Sequence, residues 1–319
     1  MEKKISIEKS LDEIEPFMQK LSMFSHSPSE YPLFESLIHS SIIKNYEFLK
    51  LVYVDKNFES HFFTTSFLRG IIEDIIILKS IHHLSFETRK KLLTGIHLIE
   101  VNERISMQWD FFQKYRPLQP VIDENINIDD VKMDLQALWR ENGWPKFEVK
   151  SKNLMPPVIQ LAQKLAPGIL DILYEFTYRL SSSTVHFSPQ TLLRMGWGYI
   201  DSENILSGSI SVNHMEKYHK SFCQIYGALL FTFYFEFFPN ELGVGEIENN
   251  IIINIRKILL EQARWPEMIT FEEMNLSIPK ANPFETIANI SISQIIMEIL
   301  QNGFVNNNYE EFLETIKIK

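Results

Sequence analysis

Apolar residues recur every three to four positions along most of the chain, and this spacing predicts amphipathic helices rather than strands. Ile7, Leu11 and Ile14 show the spacing in the first segment, and the polar, proline-containing stretch "SHSPSEYP" ends it. A break is also expected at Pro167-Gly168. The pattern predicts helices at 5–24, 33–54, 58–82, 86–115, 130–140, 158–187, 212–238, 246–264, 283–300 and 308–317.

Capping residues strengthen two of these predictions. Ser85 is a suitable N-cap for the fourth helix, with Thr88 at the N3 position. Near the end of the chain, Asn282, Pro283 and Glu285 match a capping box with proline at N1. Both helices therefore have a predicted first residue as well as a periodic body.

Two short stretches differ from the helical pattern. "WGYI" and "ILSGSI" flank a polar turn, which predicts a small β-hairpin near 196–210, and "ITFEEMN" resembles a lone strand. With 24 Phe and only 11 Gly, the rest of the chain suits a helical architecture. We expect a mainly α fold: a multi-helix bundle over 1–238 that carries the polar site, and a smaller helical C-terminal module over 239–319. The module could also pack on the same core.

Composition narrows the class of protein. The 319 residues are 45% hydrophobic, which is typical of a globular chain with a substantial core. A net charge of −10 restricts nucleic-acid contact to a local cationic patch or groove. The single cysteine, Cys223, excludes an intrachain disulfide, and the apolar run at 226–238 is too short to span a bilayer. We expect a cytoplasmic protein that does not enter a membrane.

A polar pair stands out in the third predicted helix, which is apolar on nearly every face. Arg69 and Glu73 are four residues apart and share a side of that helix. They could form a surface salt bridge of little energetic value, a buried structural network, or part of a functional polar site. The sequence leaves these three interpretations open.

A second polar stripe lies in "YEFTYRLSSSTVHFSP", residues 174–189. Tyr178, Ser182 and His186 follow each other at four-residue intervals. Arg179 and His186 are about 700° apart around a regular helix, which is close to two full turns. They therefore share a face and lie about 10 Å apart along the helix axis. An imidazole suits proton transfer near neutral pH, and a guanidinium suits a developing phosphate charge. The alternative is that this polar stripe has only a structural role, with His186 as a core or capping residue.

The stretch "RLSSSTVH" resembles the R-x(4–6)-H signature of HEPN domains, which are small helical bundles common in prokaryotic toxins and antiviral effectors. The two polar segments together also resemble an uncharacterised bacterial HEPN-like family. That family pairs an R-x-x-x-E helix with a later Y-x-x-x-S-x-x-x-H helix, here Arg69/Glu73 and Tyr178/Ser182/His186.

This resemblance implies a metal-independent ribonuclease that acts as a homodimer without a cofactor. It also allows a protein partner from a defence or toxin system. His186 would be the general acid or base, and Arg179 would bind the scissile phosphate of RNA. Tyr178 and Ser182 would orient them, and Arg69 with Glu73 would support the site. The expected products carry a 2′,3′-cyclic phosphate and a 5′-hydroxyl.

The alternative is a non-catalytic helical interaction or regulatory protein. It predicts that Arg69, Glu73, Arg179 and His186 form one closed, buried hydrogen-bond network. A zinc site is not predicted at the segment that contains His219 and Cys223, because no further thiolate is available.

Overall fold

The computed structural model describes residues 6–23, 32–55, 57–121, 127–150, 153–165, 168–186, 188, 191–192, 195–200, 206–213 and 215–268. The predicted strand in "ITFEEMN" and the predicted helices at 283–300 and 308–317 lie outside these residues. The chain is mainly helical, as the periodicity predicts. No helix of the described part is both long enough and apolar enough to cross a membrane.

The helices follow the apolar segments closely. They are α1 (Ile7–Ser22), α2 (Leu33–Tyr53), α3 (His61–His82), α4 (Phe86–Tyr115), α5 (Asp129–Glu141), α6 (Val158–Leu165), α7 (Ile169–Leu173), α8 (Arg179–Val185), α9 (Glu216–Phe237), α10 (Pro239–Leu242) and α11 (Glu246–Leu260). A π-helical turn, Tyr174–Tyr178, joins α7 to α8. Strands β1 (Gly196–Ile200) and β2 (Leu206–Ile210) pair antiparallel, with Gly198 opposite Gly208.

The helix ends show where local sequence signals were sufficient to predict a boundary. Ser85 caps α4 as predicted, because its hydroxyl accepts a hydrogen bond from the Thr88 backbone N–H at 3.2 Å. The predicted helix 246–264 was too long, since α11 ends at Leu260. The indole N–H of Trp265 donates to the Leu259 carbonyl at 3.0 Å, so the chain turns back there instead of continuing as a helix.

The helical stretch predicted at 158–187, with a break at Pro167-Gly168, has one more interruption than expected. It consists of α6, α7 and α8, with the π-helical turn between the last two. The expected break is present, because α7 begins directly after Gly168. A π turn leaves no mark on apolar spacing that a short segment can reveal, so the periodicity could not predict it.

The chain divides into two compact units, and each is built from separated segments. The described residues of the first unit fall within 6–47, 70–175 and 229–257. Those of the second fall within 48–69, 176–228 and 258–268. The first unit continues through the predicted boundary at 239, and the separate C-terminal module stays a prediction.

The core of the first unit contains the apolar faces of α1, α2, α9 and the later part of α3. Ile14, Ile38 and Ile75 are fully buried there. The rings of Phe17 and Phe235 lie 6.0 Å apart and connect α1 to α9. Burial of these side chains from water is the main source of stability for such a helical layer.

In the same unit, helices α4 and α5 pack closely against each other. Gly95 of α4 faces Leu135 of α5, and a Cβ atom at position 95 would overlap the leucine side chain. Leu92 and Ile99 bury the rest of this face. The small residue therefore sets how closely the two helices approach.

The second unit has an aromatic core around α9. The ring of Tyr226 lies 4.5 Å from that of Phe222 and 5.3 Å from that of Phe176. Gly227 admits Phe48 of α2, because a Cβ at position 227 would lie 2.7 Å from the phenylalanine ring. This core supports the polar clusters of α3 that are described next.

Candidate functional site

The first part of α3 carries three polar residues at four-residue spacing: His61, Thr65 and Arg69. Residues four apart lie on nearly the same face of a helix. All three belong to the second unit. His61 and Thr65 contact α9, whereas Arg69 contacts α8, so one helix supports two separate polar clusters.

Arg69 is the centre of the first cluster. Its Nη1 donates to the Ser182 hydroxyl at 3.2 Å and lies 2.8 Å from Nε2 of His186. Its guanidinium carbon lies 4.7 Å from the centroid of the Tyr178 ring, which is the distance of a cation–π contact. We call Arg69, Tyr178, Ser182 and His186 the open cluster, because His186 is exposed to solvent.

The contact with Arg69 defines the hydrogen-bonding role of the histidine. A guanidinium has only donors, so Nε2 of His186 accepts and the ring carries its proton on Nδ1. The backbone N–H of His186 donates to the Ser182 carbonyl at 3.0 Å, which fixes the histidine at the C-terminal end of α8. The imidazole is therefore held in position and reachable from solvent.

Four consecutive hydroxyl residues in α8 are used in two ways. The hydroxyls of Ser181, Ser183 and Thr184 donate to backbone carbonyls of α8 or of the π turn before it at 2.6–2.7 Å. Ser182 is different, because its oxygen accepts from Arg69. Such local side-chain bonds compete with regular helix bonding, consistent with the short α8 and the π turn before it.

Arg179 and Glu73 complete the set predicted from the sequence. Arg179 is the first residue of α8 and is exposed, and Glu73 is half-buried one turn beyond Arg69 in α3. Glu73 belongs to the first unit. Both Arg179 and His186 are exposed to solvent.

A second cluster lies at the N-terminus of α3, and the sequence reasoning missed it. The Glu216 carboxylate contacts Nδ1 of His61 and accepts from the backbone N–H of His61 at 2.9 Å and of Ser60 at 3.2 Å. Glu216 is also the first residue of α9. One carboxylate therefore lies at the N-termini of two helices, where their dipoles favour negative charge.

The same cluster continues into the core. The Thr65 hydroxyl lies 3.0 Å from both the His61 carbonyl and Nδ1 of His219, and 3.5 Å from the Cys223 sulfur. We call His61, Thr65, Glu216, His219 and Cys223 the closed cluster, because His61 is 1% exposed and Cys223 is fully buried. Burial raises the pKa of Cys223 to about 11, which keeps the thiol protonated.

The closed cluster is a hydrogen-bonded network. In the part of the chain that the structure describes, no group of three or more His, Cys, Asp or Glu residues could hold a metal ion. The sequence signal for this cluster was weak: the Thr64-Thr65 pair in an apolar helix, and an acidic residue at the start of α9.

Comparison of the chain with protein-family models, curated proteins and solved structures finds no match. The resemblance to HEPN-like families therefore rests on the quoted residues alone.

Proposed function

We propose that the open cluster is the active site of a metal-independent endoribonuclease of HEPN type, in an effector of toxin or antiviral defence. The observation that carries the proposal is the contact between Arg69 and His186 at a solvent-exposed position. A fixed guanidinium beside an accessible imidazole can supply phosphate binding and proton transfer, the two functions that metal-independent phosphodiester cleavage needs.

RNA binding would begin with an exchange of hydrogen-bond acceptors at Arg69. A phosphate oxygen accepts strong, charge-assisted hydrogen bonds from a guanidinium, so the scissile phosphate would take the Arg69 N–H that now faces His186. That exchange would release the Nε2 lone pair of His186. Arg179, exposed at the start of α8, would hold the phosphate from a second side.

In the chemical step, Nε2 of His186 would remove the proton of the ribose 2′-hydroxyl. The 2′ oxygen then forms a bond to phosphorus as the bond from phosphorus to the 5′ oxygen breaks. The leaving 5′ oxygen takes a proton from solvent or from a second protomer. Ser182 and the ring of Tyr178 would keep Arg69 in place, and the products are a 2′,3′-cyclic phosphate and a 5′-hydroxyl.

The negative net charge of the chain is compatible with this function. A net charge of −10 disfavours RNA over most of the surface, but a local pair of arginines can still bind a single phosphodiester. We expect weak, salt-sensitive RNA binding with cleavage limited to strands that reach the cluster.

The experiment is cleavage of single-stranded RNA by the purified full chain with EDTA present. Wild type should cleave and leave cyclic phosphate ends, and His186→Ala should not. His97→Ala is the matched control, because His97 is exposed on α4 and distant in sequence from the cluster, and it should cleave like wild type. Absence of cleavage by wild type, or equal cleavage by His186→Ala, removes the proposal.

A non-catalytic interaction or regulatory protein is the second candidate. The observation that favours it is that Arg69 already uses its guanidinium to tie α3 to α8 through Ser182, His186 and Tyr178. In that case His186→Ala would lower the melting temperature, and RNA would remain intact with every variant.

A further inference from the structure

The first unit contains a cavity of about 320 Å³ between the end of α3, the end of α5 and α6. Trp139, Trp144 and Leu161 provide apolar walls, and Lys79 and Lys164 bring positive charge to it. None of these residues belongs to the open cluster or the closed cluster. Ligand pockets in proteins combine an apolar lining with a few placed polar groups in the same way.

The charge of this cavity differs from that of the chain. Its lining includes two lysines and two histidines but no Asp or Glu, in a protein of net charge −10. Three other clefts of the described residues each include at least one glutamate. A positive, carboxylate-free lining favours an anionic ligand.

Within the described part of the chain, the two lysines are not neutralised by ion pairs. Among the salt bridges of the described residues, none involves Lys79 or Lys164. The neighbouring His82 has an acidic partner, because its Nε2 lies 2.7 Å from the Glu241 carboxylate. The pKa of the neighbouring His83 is lowered, first by burial and then by the positive charges of Lys164, His82 and Lys79. The cations therefore act on the same small region.

Lys164 is held in place by the backbone and by an aromatic ring. Its Nζ donates to the Gly143 carbonyl at 2.8 Å and lies 4.3 Å from the centroid of the Trp144 ring. Gly143 has a φ of 89°, and a Cβ there would lie 2.6 Å from this Nζ. Glycine thus permits both the turn and the lysine position, and the ammonium keeps two further protons to donate.

The aromatic wall is also fixed. Trp139 is 2% exposed, and its indole N–H donates to the Leu154 carbonyl at 2.9 Å. Nζ of Lys79 lies 4.7 Å from the centroid of the Phe237 ring, which orients the second ammonium. The cavity therefore has a preformed apolar side and a preformed cationic side.

We propose that this cavity is a binding site for a small aromatic phosphate ester, with its planar ring against Trp144 and its phosphate between Lys79 and Lys164. The volume is at the lower end of the range of about 300–1,000 Å³ for ligand pockets, so one ring and one phosphate fit. A nucleic-acid strand is too large for it. The proposal does not depend on the ribonuclease activity proposed above.

The test is isothermal titration of the full chain with phenyl phosphate, and with phenol and inorganic phosphate as separate probes. Phenyl phosphate should bind, and each half of it should bind at least tenfold more weakly. Lys164→Met and Lys79→Met should each raise the Kd for phenyl phosphate about tenfold or more, because one charge-assisted bond is lost. Trp144→Leu should weaken the binding of phenyl phosphate by a larger factor than that of inorganic phosphate, because it removes the ring contact as well as one support of Lys164.

Lys150→Met is the control, since Lys150 is an exposed lysine that lines a different cleft. It should leave the Kd unchanged. The proposal is overturned if phenyl phosphate does not bind, or if it binds no better than inorganic phosphate. It is also overturned if the two pocket-lysine variants, folded by circular dichroism, bind like wild type.

Discussion

The two clusters on α3 use similar residues with different access to solvent. In the closed cluster, His61 is paired with a carboxylate and is 1% exposed. In the open cluster, His186 is paired with a guanidinium and is exposed. Of these two histidines, a substrate can reach only His186. The comparison teaches that access, more than residue type, separates a structural histidine from a candidate catalyst.

Energetics separate the two clusters in the same way. Charged hydrogen bonds at a partly buried helix N-terminus contribute substantially to stability, and Glu216 makes several. Exposed polar contacts contribute about 0–1 kcal/mol, and the contact of Arg69 with His186 is of that kind. Loss of the closed cluster should therefore change stability, whereas loss of the open cluster should change activity.

The largest expected effect on stability is that of Glu216→Ala. This change removes the acceptor for two backbone N–H groups at the start of α3 and the partner of Nδ1 of His61. We expect a loss of about 3 kcal/mol in unfolding free energy, measured by urea denaturation.

Two further variants sharpen this result. Glu216→Gln keeps one oxygen that can accept from the backbone, so it should lose less than Glu216→Ala. Glu246→Ala removes an exposed acidic residue from the first turn of α11 and should change stability by less than about 0.5 kcal/mol. Equal effects for Glu216→Ala and Glu246→Ala would contradict the structural role of the closed cluster.

Arg69→Lys should lower RNA cleavage about 10–100-fold. Lysine keeps the charge but cannot reproduce the planar guanidinium that donates to Ser182 and His186 and stacks on Tyr178. The measurement is the cleavage rate with EDTA present, together with the melting temperature, which should change little. Arg104→Lys, on the exposed face of α4, is the control and should behave like wild type. A large fall in melting temperature with unchanged cleavage would reverse the assignment of the open cluster.

The thiol of Cys223 gives the closed cluster a dependence on pH. Its pKa is raised from 9.0 to about 11 by burial, so the protonated thiol stabilises the fold below pH 9. This contribution is lost as pH rises through about 11. Between pH 9 and 10, wild type should lose about 1 kcal/mol more stability than Cys223→Ser, whose hydroxyl does not titrate there. Parallel stability curves for the two proteins would show that the thiol is not buried in this way.

The smallest effect concerns the turn before α3. Ser60 has a φ of 90°, a left-handed conformation that glycine adopts without strain. Ser60→Gly should raise the unfolding free energy by up to about 1 kcal/mol, although it removes the 3.3 Å hydrogen bond from the Ser60 hydroxyl to Asn213. A net loss of stability would mean that this bond outweighs the backbone strain.

The sequence predicted most helices because their apolar faces are periodic, and it predicted the Ser85 cap because that signal is local. It also selected Arg69, Tyr178, Ser182 and His186, which the fold brings together. It predicted Arg69 only as a supporting residue of the site, because a contact across 117 residues leaves no local signal in the sequence. Arg179 is closer in sequence, and helical spacing predicts that it shares a face with His186.

The closed cluster could not be predicted for the same reason. Glu216 and His61 are 155 residues apart, and nothing near either residue marks it as a cap for a distant helix. Local propensity describes a helix and its ends, whereas contacts between helices depend on how distant segments pack.

The central claim is that the open cluster is catalytic and the closed cluster is structural. The most direct test measures RNA cleavage with EDTA and the melting temperature of His186→Ala and Glu216→Ala side by side. His186→Ala should lose cleavage about 100–10,000-fold and keep the wild-type melting temperature. Glu216→Ala should melt several degrees lower and still cleave while folded. Wild-type cleavage by His186→Ala, or loss of cleavage by a fully folded Glu216→Ala, would contradict the account.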